Sequence, residues 1–487
     1  MGFFNVSKKQ DLPLPSSPTP TYEKRYLEAV LNQWLNSAER KEQFVADDYY
    51  DGKHDILNRE KKVIGSDGNL VPIHNVANNK LVDNQYKKLV DQKTNFALGK
   101  PLTIATGNLE YLKHLENIFD ARMHRKLRML ARHSVNGGIA WLYPYYNSEG
   151  EFKVELFPAE EVCAVWKDSL HTELEFAMRY YSVNVYGENS VTTKVNYVDV
   201  YTKEGIYHYR HQGASLIEDV NPHSYYMYIG ENGYNWTRLP LIPFKYNSDE
   251  TPLIRMVKCL QDALNQVLSD FQNNMEEDPR TSILVLKNYD GTNLADFRHN
   301  LAIYGAIKVT TVDGVQGGVE TLKVEVNAAN YQAILMQLKR ALVENGRGFD
   351  AKEERMDGDP NQMNIESMYT DIDLDVNAME SEYQAGFEEL KWFIDMYLKQ
   401  QGKGDFTEEK VEFIFNRDIF INEDAKIQNC VVSSGIVSTK TILAHHPWVT
   451  NLERELAQLE EDKQAEMDEM EAINAFKKPQ NKVGGSE

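Results

Sequence analysis

Ten apolar side chains, Ile365, Met368, Ile372, Val376, Met379, Tyr383, Phe387, Leu390, Ile394 and Tyr397, recur at steps of three and four with no proline among them. That spacing keeps them on one face and predicts a single helix over 363–400, roughly 50 Å from first to last apolar residue at 1.5 Å per residue. Gly402 and Gly404 stop it. One stripe on so long a helix leaves a whole polar face over. Helices of this kind pack side by side with copies of themselves or line a wet channel.

The flanking segments fit the same layout. Upstream, 346–362 (GRGFDAKEERMDGDPNQ) is polar, carries glycines and ends at Pro360 and its neighbours, a long loop and therefore a functional candidate. Before it, Leu253, Met256, Val257, Leu260, Leu264, Val267, Leu268, Phe271 and Met275 form another apolar stripe, with Thr251 expected as N-cap and Pro252 as first helical residue. A matching helix is expected from Ala328 to Glu344. Between the two lie the strand-like runs SILVLK, AIKVT and TLKVEV, with turns at Asp290–Gly291 and Asp313–Gly314. After the long helix come a strand, KVEFIF, and helices from about 423 to 475.

The first half reads as one mixed unit. The proline-rich stretch 10–20 is a flexible arm. Helices follow over 22–35, up to Tyr50, and from about Lys80 to Leu98. From 139 to 245 the runs IAWLYPYY, FKVELF, EVCAVW, LEFAMRYY, KVNYVDVY and GIYHYR read as an antiparallel meander, its tyrosines explained by strand propensity. With 487 residues the chain is expected to form two to four packing units, and 42% hydrophobic against 26% charged residues excludes wholesale disorder.

Known chemistries find no foothold. No GxxxxGK[ST] loop exists; Gly346 and Gly348 begin a GxG, but Ala351 stands where a third glycine would fall. Asp371, Asp373, Asp375 and Glu382 match positions of a calcium loop, yet Val376 replaces its glycine and the helical stripe runs through, so these acids are expected to form a solvated helix face. His445 and His446 are adjacent and beside Pro447, a poor zinc pair. Neither GxSxG nor HExxH occurs, and Glu276–Glu277 or Glu353–Glu354 carry little specificity among 74 acids. The final run from Leu452 to Phe476 reads as an amphipathic or coiled-coil helix with an acidic face. No cofactor and no metal are expected, and the chain is not read as an enzyme.

Three cysteines (Cys163, Cys259, Cys430) suggest a reduced, intracellular setting. No apolar run reaches the roughly 18 residues of a membrane span, so no membrane partner is expected. The N-terminus lacks a signal-peptide pattern, and Val6 stands where myristoylation needs Ser or Thr. The formal net charge is −21, divided as −3 over residues 1–251 and −18 over 252–487. This argues against a protein that grips nucleic acid by cationic neutralisation.

In order, DYYDGKHDI (48–56), NNKLVDNQYKKLVDQKTNFALGKP (78–101), CLQDALNQVLSDFQNNMEE (259–277), NQMNIESMYTDIDLDVNAMESEY (361–383) and SGIVSTKTILAHHPWV with the Glu-rich helix (434–470) resemble the portal proteins of tailed double-stranded DNA bacteriophages, of the siphophage type from Gram-positive hosts. The resemblance implies an α+β, mainly helical fold in a ring, usually of twelve subunits, around a channel at one capsid vertex. It implies a wing (21–250), stem helices (251–275 and 328–345), a clip (276–327) and a tunnel loop (346–362). Beyond these come a long kinked helix with a returning wing strand (363–419) and a crown (420–476), while the expected flexible arm (1–20) and disordered tail (477–487) lie outside the resemblance. Such a ring conducts double-stranded DNA during packaging and ejection. Its implied partners are the terminase large subunit, the head-tail adaptor, and the major capsid and scaffolding proteins, with assembly in the host cytoplasm and residence in the virion.

Candidate channel residues are then Arg347, Asp350, Lys352, Glu353, Glu354, Arg355 and Asp357. Either the basic ones touch phosphate transiently, or they pair with acids of a neighbouring subunit. Candidate clip contacts are Asp290, Asn293, Asp296, Arg298 and His299. A virion-associated metal-dependent nuclease and a coiled-coil scaffolding protein are the alternatives.

Overall fold

The computed structural model describes residues 22–64, 68–72, 77–186, 192–229, 232–277, 283–287, 318–322, 328–350, 362–417, 423–449 and 452–477. The chain opens with helices α1 (Lys24–Leu35) and α2 (Ala38–Tyr50), a short hairpin β1 (Lys62–Ile64) and β2 (Leu70–Pro72), then α3 (Gln85–Leu98), β3 (Thr103–Ala105), α4 (Leu109–Ile118) and α5 (Ala121–Gly137). Side chains fix several of these starts: Ser37, Asn84, Asn108 and Asp120 each accept a backbone N–H from the first turn that follows.

Two antiparallel sheets follow. β4 (Ile139–Tyr146) and β5 (Phe152–Pro158) form a hairpin about Asn147–Gly150. Next, β6 (Val162–Trp166), β7 (Leu174–Tyr186), β8 (Thr192–Thr202), β9 (Gly205–Gln212) and β10 (Ser215–Ser224) make a five-stranded meander. A small hairpin, β11 (Met227–Ile229) and β12 (Asn232–Tyr234), leads to β13 (Ile242–Lys245), which pairs with β4 to complete a three-stranded sheet ordered β13–β4–β5. One face of the meander holds Phe176, Met178, Val198 and Val200 against Leu27 and Leu31 of α1, a core of its own.

The main core lies elsewhere. Helix α6 (Ile254–Glu277) is followed by β14 (Ile283–Lys287) and β15 (Gly318–Leu322), which pair antiparallel, and by α7 (Ala328–Asn345), packed on α6 through Phe271 and Tyr331. The 39-residue α8 (Gln362–Gln400) spans the predicted stripe: Ile372, Val376, Met379, Tyr383, Phe387, Leu390 and Ile394 are all buried against α3, α5 and the three-stranded sheet. β16 (Glu412–Ile414) then returns to pair with β3, about 300 residues earlier in the chain. Among the described residues, the last helices, α9 (Glu423–Val432), α10 (Thr439–His445) and α11 (Leu452–Lys477), add none to either core. Among the described residues no helix is long and apolar enough to cross a membrane.

Three expectations need correction. The helix foreseen from Lys80 begins at Gln85, and 77–84 is extended, because α6 offers that segment's backbone a row of side-chain partners. Helix α6 begins at Ile254; Thr251 and Pro252 precede it, and Thr251 Oγ1 turns back to the Asp249 carbonyl. Asp375 is not on a solvated face, although Asp371 is exposed. Strands β10 to β13 went unforeseen: Pro222, Asn221, Gly233 and Pro243 interrupt their patterns.

Candidate functional site

Helix α7 ends in a tight reversal. Gly348 N donates to Val343 O (2.9 Å) and Arg347 N to Glu344 O (3.2 Å), the paired bonds of a Schellman cap. The residue that must turn left-handed in this cap is usually glycine; here it is Arg347, at φ 47°. The glycines sit on either side because the turn is pressed onto α3: a Cβ on Gly346 would lie 2.6 Å from Leu89, and one on Gly348 would also collide with Leu89. Gln92 then clasps the next residue, donating to Phe349 O (2.8 Å) and accepting from Phe349 N (3.4 Å). The Phe349 ring packs on Tyr369 of α8 at 4.8 Å.

The choice of arginine has a chemical counterpart beneath the turn. Lys93 of α3 is fully buried, its ammonium 2.5 Å from Asp375 of α8 and 3.2 Å from the Arg347 carbonyl. Tyr246 donates to the same carboxylate oxygen at 2.6 Å, and the Arg347 guanidinium lies 3.4 Å from the other oxygen. Burial lowers the Lys93 pKa, with Asp375 acting in the opposite direction. Burial, followed by the charge of Asp375, pushes the Tyr246 phenol far up, so it stays a donor. One carboxylate thus joins α3, the loop before α6, α8 and the end of α7.

A second polar device ties α6 to the same helix α3. Gln261, Asn265, Ser269 and Asn273 recur every four residues, on one buried face of α6. Asn273 accepts the N–H of Asn79 (2.6 Å), Ser269 that of Leu81 (3.0 Å), Asn265 that of Asp83 (3.0 Å) and Gln261 that of Tyr86 (3.0 Å). Four helical residues rise about 6 Å and two extended residues about 6.6 Å, so the alternate amides of Asn79, Leu81 and Asp83, running antiparallel to the helix, stay in step with the ladder, while Tyr86, three residues on, is already in α3. Gln261 also donates to the Asp83 carbonyl (2.7 Å), and Asn265 meets His54 (2.7 Å). Lys339 of α7 reaches Asp83 at 2.7 Å.

Of the residues singled out from the sequence, Arg347 and Asp350 are described. Asp350 lies 3.8 Å from Lys88, so both charges are held within their own chain. Lys352, Glu353, Glu354, Arg355 and Asp357 lie outside the described residues, as do Asp290, Asn293, Asp296, Arg298 and His299. Sequence reasoning missed Lys93, Tyr246 and Asp375 as a cluster, and a lone lysine in a helix gives no signal of burial. It also missed the ladder, although four amide and hydroxyl residues at a spacing of four were a legible sign.

Comparison with known proteins agrees with the order of these segments. The family model described as phage portal protein, SPP1 Gp6-like, matches residues 35–469. The chain is 31% identical over 423 residues to the portal protein of Bacillus phage SPP1, covering 85% of this chain and 82% of that one. It is 28% identical over 442 residues to the portal protein of Clostridium phage phiCD119, covering 88% and 94%.

Proposed function

This chain belongs to the phage portal protein family, and from that premise we propose that it forms a ring at one capsid vertex through which double-stranded DNA is packaged and ejected. The observation that carries the reading is the family match over residues 35–469, nearly the whole described chain. In this assignment 21–250 with β16 is the wing, 251–275 and 328–345 the stem, 276–327 the clip that meets terminase and the head-tail adaptor, 346–362 the tunnel loop, and 420–476 the crown. The nuclease and scaffolding alternatives lack any comparable support.

Two features support assembly with copies. Only Leu342 of α7 is buried, while Ile334 and Met336 face outward. In the crown, Val431, Val432, Ile436 and Trp448 are exposed, Trp448 at 71% and Ile436 at 80%. Apolar faces of this kind are buried in oligomers by the same patch or its complement on the next subunit.

The tunnel loop starts from a fixed base, since Arg347 and Asp350 are engaged with Asp375 and Lys88. Transient phosphate contacts therefore fall chiefly to Lys352 and Arg355, whereas Arg347 positions the loop. Replacing Arg347, Lys352 and Arg355 together by Ala is expected to lower DNA packaged or retained per particle while rings still form by negative-stain imaging. Unchanged packaging with intact rings would exclude a DNA-contact role. A chain that remains monomeric by imaging would overturn the portal reading itself.

A further inference from the structure

Three neighbouring strands of the meander carry an acid, an imidazole and a hydroxyl in series. Asp199 of β8 and His208 of β9 stand directly opposite each other, with Asp199 Oδ1 2.6 Å from His208 Nδ1. Across the same ring, Ser224 Oγ of β10 lies 2.8 Å from His208 Nε2. A carboxylate can only accept, so in the neutral ring Nδ1 carries the hydrogen and Nε2 is the acceptor. The Ser224 hydroxyl therefore donates to it. Tyr181 of β7 also donates its hydroxyl to Asp199, which helps to hold the acid in place.

The serine reaches this place through an irregularity in the strand. β10 keeps one register on β9 as far as Glu218, opposite Tyr209, and resumes with His223 opposite Tyr207, so three extra residues are taken up between. In the unshifted register Asn221 would face Ile206; the extra residues put Ser224 there, diagonal to His208 and on its face of the sheet. Bulged strands re-aim side chains in this way and are frequent beside active sites. Gly205 permits the close approach: its φ is 127°, and a Cβ there would lie 2.5 Å from the Ser224 carbonyl oxygen. Asp199 is buried, whereas His208 and Ser224 stay partly exposed, so the acid is shielded and the hydroxyl can be reached. A hydroxyl bonded to a base that an acid orients is the arrangement of an activated nucleophile.

We propose that Ser224 is a covalent modification site, a nucleophile that takes an acyl group from a small activated ester with His208 as general base and Asp199 as the acid that orients it. Ser224 Oγ forms a bond to the carbonyl carbon and its proton passes to His208 Nε2. The bond from that carbon to the ester oxygen breaks, and the departing alcohol takes the proton, leaving an acyl-serine and a neutral imidazole. Neither a ring nor DNA takes part, so the site stands or falls separately from the channel. The full chain is treated with 4-nitrophenyl acetate, and its peptides are mapped by mass spectrometry. Ser224 is expected to be acetylated before any other serine, and His208→Gln to slow its acylation about 10²–10⁴-fold. Asp199→Asn is expected to slow it as well. A second measurement keeps His208 and Asp199 in place: Ser224→Cys is expected to react with iodoacetamide about tenfold faster than the exposed Cys259, because a thiol beside an imidazole is more readily ionised. Acetyl groups confined to lysines, a Ser224 rate untouched by His208→Gln, or alkylation of Ser224→Cys no faster than that of Cys259 would each overturn the assignment and leave the two hydrogen bonds as a clasp on β10.

Discussion

Replacing Asp375 by Asn removes the carboxylate that faces the buried Lys93 ammonium while keeping nearly the same volume. At 2.5 Å the pair attracts by about 6–7 kcal/mol at an effective dielectric of ~20. The Arg347 carbonyl at 3.2 Å remains as an acceptor, and relaxation recovers part of the loss, so the expected destabilisation is about 3–5 kcal/mol. Arg347 adds little to this figure, because its half-exposed guanidinium regains water when Asp375 is gone.

The pH dependence identifies Lys93 as the cause. Burial already holds its pKa below the ordinary 10.5, and without the carboxylate that pKa falls further. Between the lowered value and 10.5 the unfolded chain binds a proton that the folded chain does not. Stability of the variant therefore rises with pH across that window, by about 1.4 kcal/mol per unit, and is least where Lys93 is charged in both states. Urea-unfolding midpoints at pH 7 and pH 9 measure this directly. Adding Lys93→Met to Asp375→Asn is expected to restore most of the loss, since it removes the stranded charge. A loss below about 1 kcal/mol, a flat pH response, or no rescue by Lys93→Met would refute the account.

Two further outcomes test the neighbouring contacts. Asn265→Ala leaves the Asp83 N–H and the His54 Nδ1 without partners, an expected loss of about 2–4 kcal/mol, accompanied by faster amide exchange at Asp83 than at Leu81. Gly348→Ala drives a methyl into Leu89 and to 2.9 Å from Gln92 Oε1, an expected loss of about 1–3 kcal/mol in thermal unfolding; a neutral result would mean that the turn is not pressed on α3.

Much of the fold was legible wherever one period ran uninterrupted. The stripe from Ile365 to Tyr397 gave α8 nearly residue by residue, and IAWLYPYY gave β4 with its ends. Legibility failed where the partner, rather than local propensity, decides the conformation. Residues 80–84 carry no helix breaker, yet their amides are claimed by α6 from about 180 residues away. Asp375 lies one turn beyond the exposed Asp371, and its own burial is decided by Lys93, Tyr246 and Arg347, all on other elements. Arg347 is a further case: a left-handed cap position predicts glycine, and the arginine is explained by a carboxylate 28 residues on.

The same reasoning says why the family could be recognised from scattered segments. Four of the five stretches that carry the resemblance meet in one place: 48–56 brings Tyr49 and His54, 78–101 the extended segment and Lys93, 259–277 the ladder, and 361–383 Asp375. Tyr49 OH bonds Asp262, Asn84 donates to the Tyr49 carbonyl at 2.8 Å, and His54 meets Asn265. An apolar core accepts many substitutions of similar volume, whereas a buried polar network needs each donor and acceptor in kind. Residue identity is therefore dictated most strongly at this junction. In the proposed assembly that junction joins wing, stem and tunnel loop, so α6, α7 and the first residues of the loop hang from α3. There the hydrogen-bond ladder and the buried Lys93–Asp375 pair add directional contacts to the apolar ones that Val257, Leu264 and Leu342 make with the main core.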